Sequence, residues 1–413
     1  MDIMKSLRSE FSFIRGNYAI LVTSWIIVDF ASELPMAYFS LYVLGLGATE
    51  TILGVIGFSQ FLALASLQFP GGYLADKYGR KWLISTMTFG VALSFILYAI
   101  APSWPFLLIG VVLTSIFNST YQPALSAMIS DSLPPERRGM GFSIVMLISG
   151  ASTTPSPAVA ALLHAQFGLM DGMRISWVIV VALFLLAAFF RFFFLKETVI
   201  NASKPKLKEI FLSYPAALRE SFEAWKKVPR SLIYLFSSFS VMLIGFSMIQ
   251  LLIVVYATRI LFIDEVLWGL LVASIPITTI VLALPTGKVV DKMDRRIPFL
   301  ISMLAFGLAM GLFVYGDLTK VIMTLILFGA GQVMLYASFG ALQTDLTPKA
   351  QRGKVNGFMN FSTMIVMAVG SFIGGFLYEH VSPQTPFLIA TAAVAPSFLL
   401  TLLLVRTPQK REE

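Results

Sequence analysis

The sequence predicts an all-α integral membrane protein with twelve transmembrane helices in two pseudo-symmetric six-helix bundles. Hydrophobic residues make up 57% of the 413 residues and charged residues only 13%, a balance that a water-soluble domain cannot bury. A helix needs about 20 apolar residues to cross a hydrocarbon layer of roughly 30 Å. Such stretches follow one another along almost the whole chain, basic residues gather on one side of them, and landmarks of the first half recur in the second.

Hydropathy places six predicted spans in each half. In the first half they are residues 17–44, 49–74, 82–101, 104–130, 140–164 and 174–195, and in the second half 231–258, 266–288, 297–315, 321–344, 355–378 and 385–405. Between the halves a mixture of Lys, Arg and Glu breaks the apolar pattern, which predicts a cytoplasmic linker with amphipathic stretches at the membrane surface. The predicted domains are an N-terminal bundle, 1–196, this linker, 197–230, and a C-terminal bundle, 231–413.

The basic residues predict the orientation of the chain. Of the 30 Lys and Arg, only Arg174, Arg259 and Lys320 fall on the side of the membrane opposite the predicted termini. Because basic residues gather on the cytoplasmic side, both termini are expected in the cytoplasm of a multi-pass protein of the cell membrane. The net charge of +8 then indicates contact with the anionic headgroups of the lipid bilayer and no nucleic-acid partner.

The two halves share polar landmarks at a nearly constant spacing. Glu50 and Gly54 recur 215 residues later as Glu265 and Gly269. Further landmarks recur at 215 or 214 residues: Pro70, Gly72, Asp76, Arg80 and Lys81 as Pro285, Gly287, Asp291, Arg295 and Arg296, and Asp131, Arg138 and Gly139 as Asp345, Arg352 and Gly353. These matches predict an internal repeat in which both halves have one fold.

The loops that carry these landmarks resemble those of a known family. Residues 72–81, GYLADKYGRK, are similar to the signature loop between spans two and three of the major facilitator superfamily. Residues 287–296 are a weaker copy, in which Asp294 replaces Gly79, and residues 131–139 resemble the family's loop between spans four and five. The resemblance covers the whole chain and implies a transporter with the major facilitator fold.

The resemblance also implies a cytoplasmic gate in these loops. Asp76 is expected to pair with a nearby Arg and with the positive N-terminal end of a helix near Gly353 when the cytoplasmic side is shut. The alternative is that the loop charges only anchor the chain in the headgroup region. The expected gate residues are Gly72, Asp76, Gly79, Arg80, Asp291 and Arg295.

Two acids stand apart from the other 20 because they lie deep in a predicted span. Asp29 and Glu33 are four residues apart in the first span, so both are expected on one helical face, with Trp25 and Met36 near the same stripe. A carboxylate near the bilayer centre costs on the order of 2.5 to 3.5 kcal/mol, so this face should line a cavity. The pair is expected to carry protons or bind substrate, and the alternative is a structural, hydrogen-bonded pair.

Polar and aromatic residues on other spans are candidates for the same cavity, although each is also explained by helix packing. They are Asn118, Tyr121 and Gln122 on span four, Gln250 on span seven, and Gln332, Tyr336, Phe339 and Gln343 on span ten. No basic residue is expected near mid-membrane, since Arg191 is placed at the cytoplasmic edge. Val111 occupies the position at which exporters of the resembling group often carry an arginine. Acids without fixed cations favour neutral or cationic substrates.

Enzymatic functions find no support in the sequence. With two His, no Cys and no phosphate-binding loop, it offers no transition-metal site, no cofactor site and no direct use of ATP. Residues 29–35 and 150–157 resemble segments of twelve-span drug/proton antiporters. The expected function is therefore proton-coupled export of lipophilic neutral or cationic small molecules by a monomer that alternates access. The alternatives are a proton-coupled importer or facilitator of a neutral nutrient, and a membrane sensor or lipid-flipping protein.

The orientation can be tested because the chain has no native cysteine. Single cysteines that replace Lys206 and Lys320 are expected to react with an impermeant maleimide from opposite sides of the membrane. In intact cells only the Lys320→Cys variant should label, and after permeabilisation both should. Labelling of Lys206→Cys in intact cells contradicts cytoplasmic termini.

Overall fold

The computed structural model describes residues 13–134, 137–199, 215, 218–348 and 351–406, without the side chains of residues 69, 70, 72, 73, 76, 138, 139, 142, 143 and 146. Ten helical stretches in this part of the chain are long and apolar enough to cross a membrane. One of them, Leu147–Phe194, breaks at Gly168 into two spans. A further span comes from the helices Glu50–Ser66 and Gln68–Tyr78. The described chain therefore forms the predicted twelve spans.

We number the spans 1 to 12 in chain order. In the N-terminal half, span 1 is Gly16–Glu33 with Phe39–Gly45, span 2 is Glu50–Ser66 with Gln68–Tyr78, span 3 is Arg80–Ala99, span 4 is Trp104–Asp131, span 5 is Arg138–Thr153 with residues 156–167, and span 6 is 169–194. In the C-terminal half, span 7 is Arg230–Gln250 with Ile253–Arg259, span 8 is Glu265–Val272 with Ser274–Lys292, span 9 is Arg296–Val314, span 10 is Leu318–Leu346, span 11 is Arg352–His380, and span 12 is Thr385–Ala392 with Val394–Leu404. We call the side that holds both termini the termini side and the opposite side the far side.

Breaks in the spans have local causes in the sequence. Span 1 is interrupted at Pro35 and span 5 at Pro155, because proline lacks the backbone N–H and clashes with the preceding turn. The turn between spans 5 and 6 needs only Gly168, whose φ of 73° is readily adopted by glycine. The predicted spans 140–164 and 174–195 therefore extend towards each other, since helix continues on both sides of this one residue.

The internal repeat is visible in hydrogen bonds as well as in sequence. Tyr42 Oη of span 1 donates to the carbonyl of Tyr98 in span 3 at 2.8 Å. Tyr256 Oη of span 7 donates to the carbonyl of Val314 in span 9 at 2.7 Å. Equivalent spans of the two bundles are thus tied by equivalent tyrosines, which supports the pseudo-symmetry of the fold.

The described part of the linker packs on the C-terminal half. Trp225 stacks on Phe358 of span 11, with ring centroids 5.2 Å apart, and Lys354 forms an ion pair with Glu220 at 3.0 Å. Half of the predicted linker, 200–214, 216 and 217, lies outside the described residues. The domain boundaries 1–196, 197–230 and 231–413 therefore remain a prediction.

Close contact between spans 7 and 11 generates a stability prediction. A side chain at Gly374 would collide with the backbone of Met248, whereas Gly311 has open space around it. Gly374→Ala is expected to lower stability by about 1 to 3 kcal/mol through overpacking. Gly311→Ala is the matched control, and it should be neutral or slightly stabilising because alanine favours the helix. Thermal unfolding in detergent measures both, and equal melting temperatures would contradict the close contact.

Candidate functional site

Asp29 faces a cavity inside the N-terminal half. The cavity has a volume of about 320 Å³ and is lined by residues of spans 1, 2, 3, 4 and 6. Its polar lining includes four residues that the sequence predicted beside Asp29, namely Trp25, Asn118, Tyr121 and Gln122. Further polar residues in the lining are Ser32, Gln60, Tyr98, Thr114, Ser115 and Arg191. We call this the N-half cavity.

The carboxyl group of Asp29 is incompletely satisfied. Trp25 of the same span and Ser149 of span 5 lie beside it, but its Oδ2 atom is buried without a hydrogen bond. Thr114 Oγ1, which lines the same cavity, is buried beside Tyr98 without a hydrogen bond of good geometry. Unpaired buried polar atoms are unfavourable unless a ligand, water or proton meets them. The N-half cavity therefore offers buried polar atoms to a water molecule, a proton or a ligand.

Arg191 corrects the expectation that no basic residue lies inside the bundle. Its side chain is only 1% exposed, its Nε donates to Ser24 Oγ at 3.0 Å, and its Nη1 donates to Thr88 Oγ1 at 2.9 Å. The guanidinium also lies over the ring of Tyr121, 5.8 Å from the centroid. Thus a buried cation shares the N-half cavity with Asp29. The expectation of a neutral or cationic substrate assumed acids without a fixed cation, and that assumption does not hold for Asp29.

The direction of span 6 explains why Arg191 does not reach the membrane surface. Side chains of a helix lean towards its N-terminal end, and span 6 begins on the far side and ends on the termini side. Arg191 therefore leans back into the bilayer, although its backbone is three residues from Phe194, the last residue of the helix. Its partner Ser24 lies eight residues into span 1, about 12 Å along the helix axis.

Glu33 faces a different space from Asp29. It lies in a cleft of about 320 Å³ between the two halves, opposite Thr279 and Gln332 of spans 8 and 10. Glu33 is the last residue of its helix, and it is the one charged residue in the lining of this cleft. The expectation that both acids line one cavity is therefore wrong. Met36, 46% exposed on the short turn Met36–Tyr38, lines neither space.

The predicted stripe on span 10 is divided among three environments. Gln332 lines the cleft, and it also lines, with Tyr336, an apolar pocket of about 40 Å³ inside the C-terminal half. Phe339 is buried and stacks on Phe239 at 3.9 Å, so it packs the core instead. Gln343 donates to Asn356 Oδ1 of span 11 at 2.8 Å. The aromatic part of the apolar pocket consists of Phe246, Phe306, Phe328 and Tyr336.

Gln250 is the remaining candidate for the cavity lining. It is exposed at the end of the helix Arg230–Gln250 and lines none of these three spaces. The span-7 residues in the apolar pocket are instead Met242, Leu243 and Phe246.

Two of the expected gate residues, Arg80 and Arg295, form matching ion pairs within their own halves. Arg80 pairs with Asp131 of span 4, and Arg295 pairs with Asp345 of span 10 at 2.5 Å. Gly79 has a φ of 98°, as a tight turn requires, and Asp291 is exposed. Repeated basic residues at the starts of spans 3 and 9 thus hold repeated acids at the ends of spans 4 and 10.

The cross-half latch expected at Asp76 remains a prediction. The side chains of Gly72 and Asp76 lie outside the part of the chain that the structure describes. Around Gly353, the expected partner of Asp76, there is open space.

Comparison with known proteins identifies the family. The Major Facilitator Superfamily model matches residues 21–262 and 235–413. The chain belongs to this superfamily. It is 24% identical to the multi-drug resistance efflux pump PmrA of Streptococcus pneumoniae over 359 residues, 83% of either chain. An uncharacterized MFS-type transporter of Methanocaldococcus jannaschii is 25% identical over 347 residues, 82% of this chain and 85% of that protein.

A solved structure agrees with the family assignment. The nucleoside transporter NupG has a TM-score of 0.75, covers 94% of this chain and 99% of its own, and is 15% identical. At this identity the likeness shows the fold alone. Members of the Major Facilitator Superfamily carry small-molecule substrates across membranes, so the chain is a multi-pass membrane transporter.

In this major facilitator transporter the halves are joined on the far side by cross-half contacts that sequence reasoning missed. Glu50 of span 2 forms an ion pair with Arg259 of span 7 at 3.2 Å. Glu265 of span 8 contacts His164 of span 5 at 2.9 Å, and its carbonyl accepts a hydrogen bond from Tyr38 Oη at 2.9 Å. We call these contacts the far-side seam.

The repeated glycines also lie at the seam. Gly54 packs against the backbone of Ser371 and Gly375 in span 11, and Gly269 packs against Tyr38 and Ala161 in the N-terminal half. The repeat of Glu and Gly, 215 residues apart, was the signal that could have located this interface. Of the repeated residues, each half contributes one acid and one close-approach glycine to it.

Loss of the contact between Glu265 and His164 is expected to open the far side. In a chain with a single cysteine at Ala161, which is 1% exposed beneath Gly269, Glu265→Gln should raise the rate of maleimide labelling about fivefold. That factor corresponds to about 1 kcal/mol for a partly exposed pair. Asp317→Asn is the matched control, because Asp317 caps span 10 away from the seam. Equal rates in both variants would show that the pair does not hold the seam.

Proposed function

We propose that the chain is a secondary active transporter that exports lipophilic neutral or cationic compounds in exchange for protons. The observation that carries this proposal is Glu33, a carboxyl group in the cleft between the halves with no cation in the cleft lining. A lone acid in a largely apolar cleft suits a hydrophobic cation. The printed name of PmrA, a multi-drug resistance efflux pump at 24% identity, is in keeping with this substrate class.

In this proposal the two acids of span 1 have different roles, substrate binding and proton exchange. Glu33 faces both halves and is placed to contact a substrate that both halves must enclose. Asp29 lies in the N-half cavity, with an unpaired Oδ2, and is placed to accept and release a proton. The two carboxyl groups are four residues apart on one helix, so a positive charge bound at Glu33 favours the ionised form of Asp29.

The pocket inside the C-terminal half supports the apolar part of the substrate class. Phe246, Phe306 and Phe328 provide aromatic faces, and Gln332 lines both this pocket and the cleft. Because the pocket has a volume of only about 40 Å³, it is expected to receive an apolar edge of the substrate while the charge lies near Glu33.

Alternating access follows from the two ends of the bundle. The far-side seam has to break for the cleft to open on the far side, and the paired loops on the termini side have to approach for it to close there. With both termini in the cytoplasm of the cell membrane, as the basic residues favour, the far side is the cell exterior. In the conformation described, the far-side seam is formed. The cleft would then open towards the cytoplasm.

Transport by purified protein in vesicles tests the proposal. Ethidium, a lipophilic cation, should be moved against its gradient when a pH difference is imposed, with protons moving in the opposite direction. Movement of protons in the same direction as the transported compound would indicate an importer. Failure to carry ethidium, tetraphenylphosphonium or a neutral lipophilic dye would contradict the substrate class.

Glu33→Gln is expected to separate recognition from coupling. The variant keeps size and hydrogen-bonding capacity but loses the charge, so the KM for ethidium should rise about tenfold, equivalent to about 1.4 kcal/mol. The KM for a neutral lipophilic dye should change less than twofold. Asp171→Asn, on the surface at the far side, is the control acid. An equal rise for cation and neutral dye would remove the proposed role of Glu33.

A further inference from the structure

The positive charge of Arg191 is buried, and its hydrogen-bond partners are neutral groups that do not compensate it. Its guanidinium is buried at 1% exposure, and its direct hydrogen bonds go to the hydroxyls of Ser24 and Thr88. Tyr121 adds a ring face and a hydroxyl. None of these groups carries a negative charge in its ordinary state, and a buried cation without a counter-charge is strongly unfavourable.

Asp29 is the one acid in the lining of the cavity that holds Arg191. The two groups interact electrostatically, but among the described ion pairs there is no direct contact of 4.0 Å or less between them. Asp29 Oδ2 remains unpaired. The cation and the acid therefore face each other through the cavity, where a proton on Asp29 changes the balance of charge without breaking a salt bridge.

Polar or charged groups on spans 1, 3, 4, 5 and 6 surround Asp29. Glu33 lies one turn away on span 1, Tyr98 and Tyr121 line the cavity from spans 3 and 4, and Arg191 comes from span 6. Span 5 places Ser149 beside the carboxyl group. Of these, Arg191 is the single cation, so it alone favours the ionised form of Asp29 by its charge.

We propose that Arg191 is the fixed counter-ion through which Asp29 couples proton release to binding of a cationic substrate. The inference rests on the proposed function. With Asp29 ionised, the cavity has no net charge, and a cation is tolerated at Glu33. With Asp29 protonated, the charge of Arg191 is uncompensated, and this disfavours a second cation beside Glu33, which lies four residues from Asp29 on span 1. Proton and substrate therefore exclude each other, and the proton displaced from Asp29 passes to water in the cavity.

Two variants of Arg191 separate its charge from its hydrogen bonds. Arg191→Lys keeps the positive charge, whereas Arg191→Gln keeps hydrogen-bonding capacity and loses the charge. Thr88→Val is the matched control, because it removes a direct partner of the guanidinium and leaves both charges in place. Proton release on addition of ethidium to weakly buffered protein in detergent is the readout. We expect at least tenfold less release in Arg191→Gln, and release within about twofold of wild type in Arg191→Lys and Thr88→Val.

A stability cycle provides a readout that needs no substrate. Asp29→Asn leaves Arg191 uncompensated, so its melting temperature should fall by about 5 °C. Adding Arg191→Gln to Asp29→Asn should restore most of this loss, since the buried cation is then also removed.

Either measurement can overturn the proposal. If Arg191→Gln and Thr88→Val reduce proton release equally, Arg191 acts only through its hydrogen bonds. If the double variant is less stable than Asp29→Asn by the full effect of Arg191→Gln, the two residues are independent and the counter-ion role is wrong. If the wild type neither binds ethidium nor releases protons, the proposed function fails. The stability cycle then still decides whether Arg191 and Asp29 compensate each other.

Discussion

Compensation of buried charge is the constraint around which the N-terminal half is organised. A charged side chain in the hydrocarbon region is unfavourable unless polar groups surround it, and this bundle holds both Arg191 and Asp29 in its interior. Spans 1, 3 and 4 accordingly supply Ser24, Thr88 and Tyr121 to the guanidinium. Arg191 thus links span 6 to spans 1, 3 and 4 through polar contacts.

The repeated residues form contacts within each half at one end of the bundle and between the halves at the other end. On the termini side, repeated residues pair within each half, as in Arg80 with Asp131 and Arg295 with Asp345. On the far side, the repeated acids Glu50 and Glu265 reach across to the other half. One set of contacts keeps each bundle rigid, whereas the other joins two bundles. The same duplicated sequence therefore provides both stiffness and a separable interface.

Hydropathy and charge were enough to predict the twelve spans, because every backbone that crosses a bilayer must be a long apolar helix. Asp29 was found for the same reason, since an acid in such a helix is rare. Arg191 was missed because its closeness to a helix end suggested contact with headgroups, whereas the direction of the helix turns its side chain inward. Phe339 was misplaced because periodicity gives a face of span 10 but not its neighbour Phe239.

The pocket inside the C-terminal half has a consequence for how such a protein can change over generations. Its lining is mostly aromatic and aliphatic, and the charged groups Asp29, Glu33 and Arg191 all belong to the other half. Substitutions among apolar side chains that conserve the total volume alter the shape of a pocket at little cost to folding, and here they leave the ionisable groups untouched. Under the proposed function, selectivity for new compounds can diversify in one bundle while energy conversion is inherited unchanged in the other.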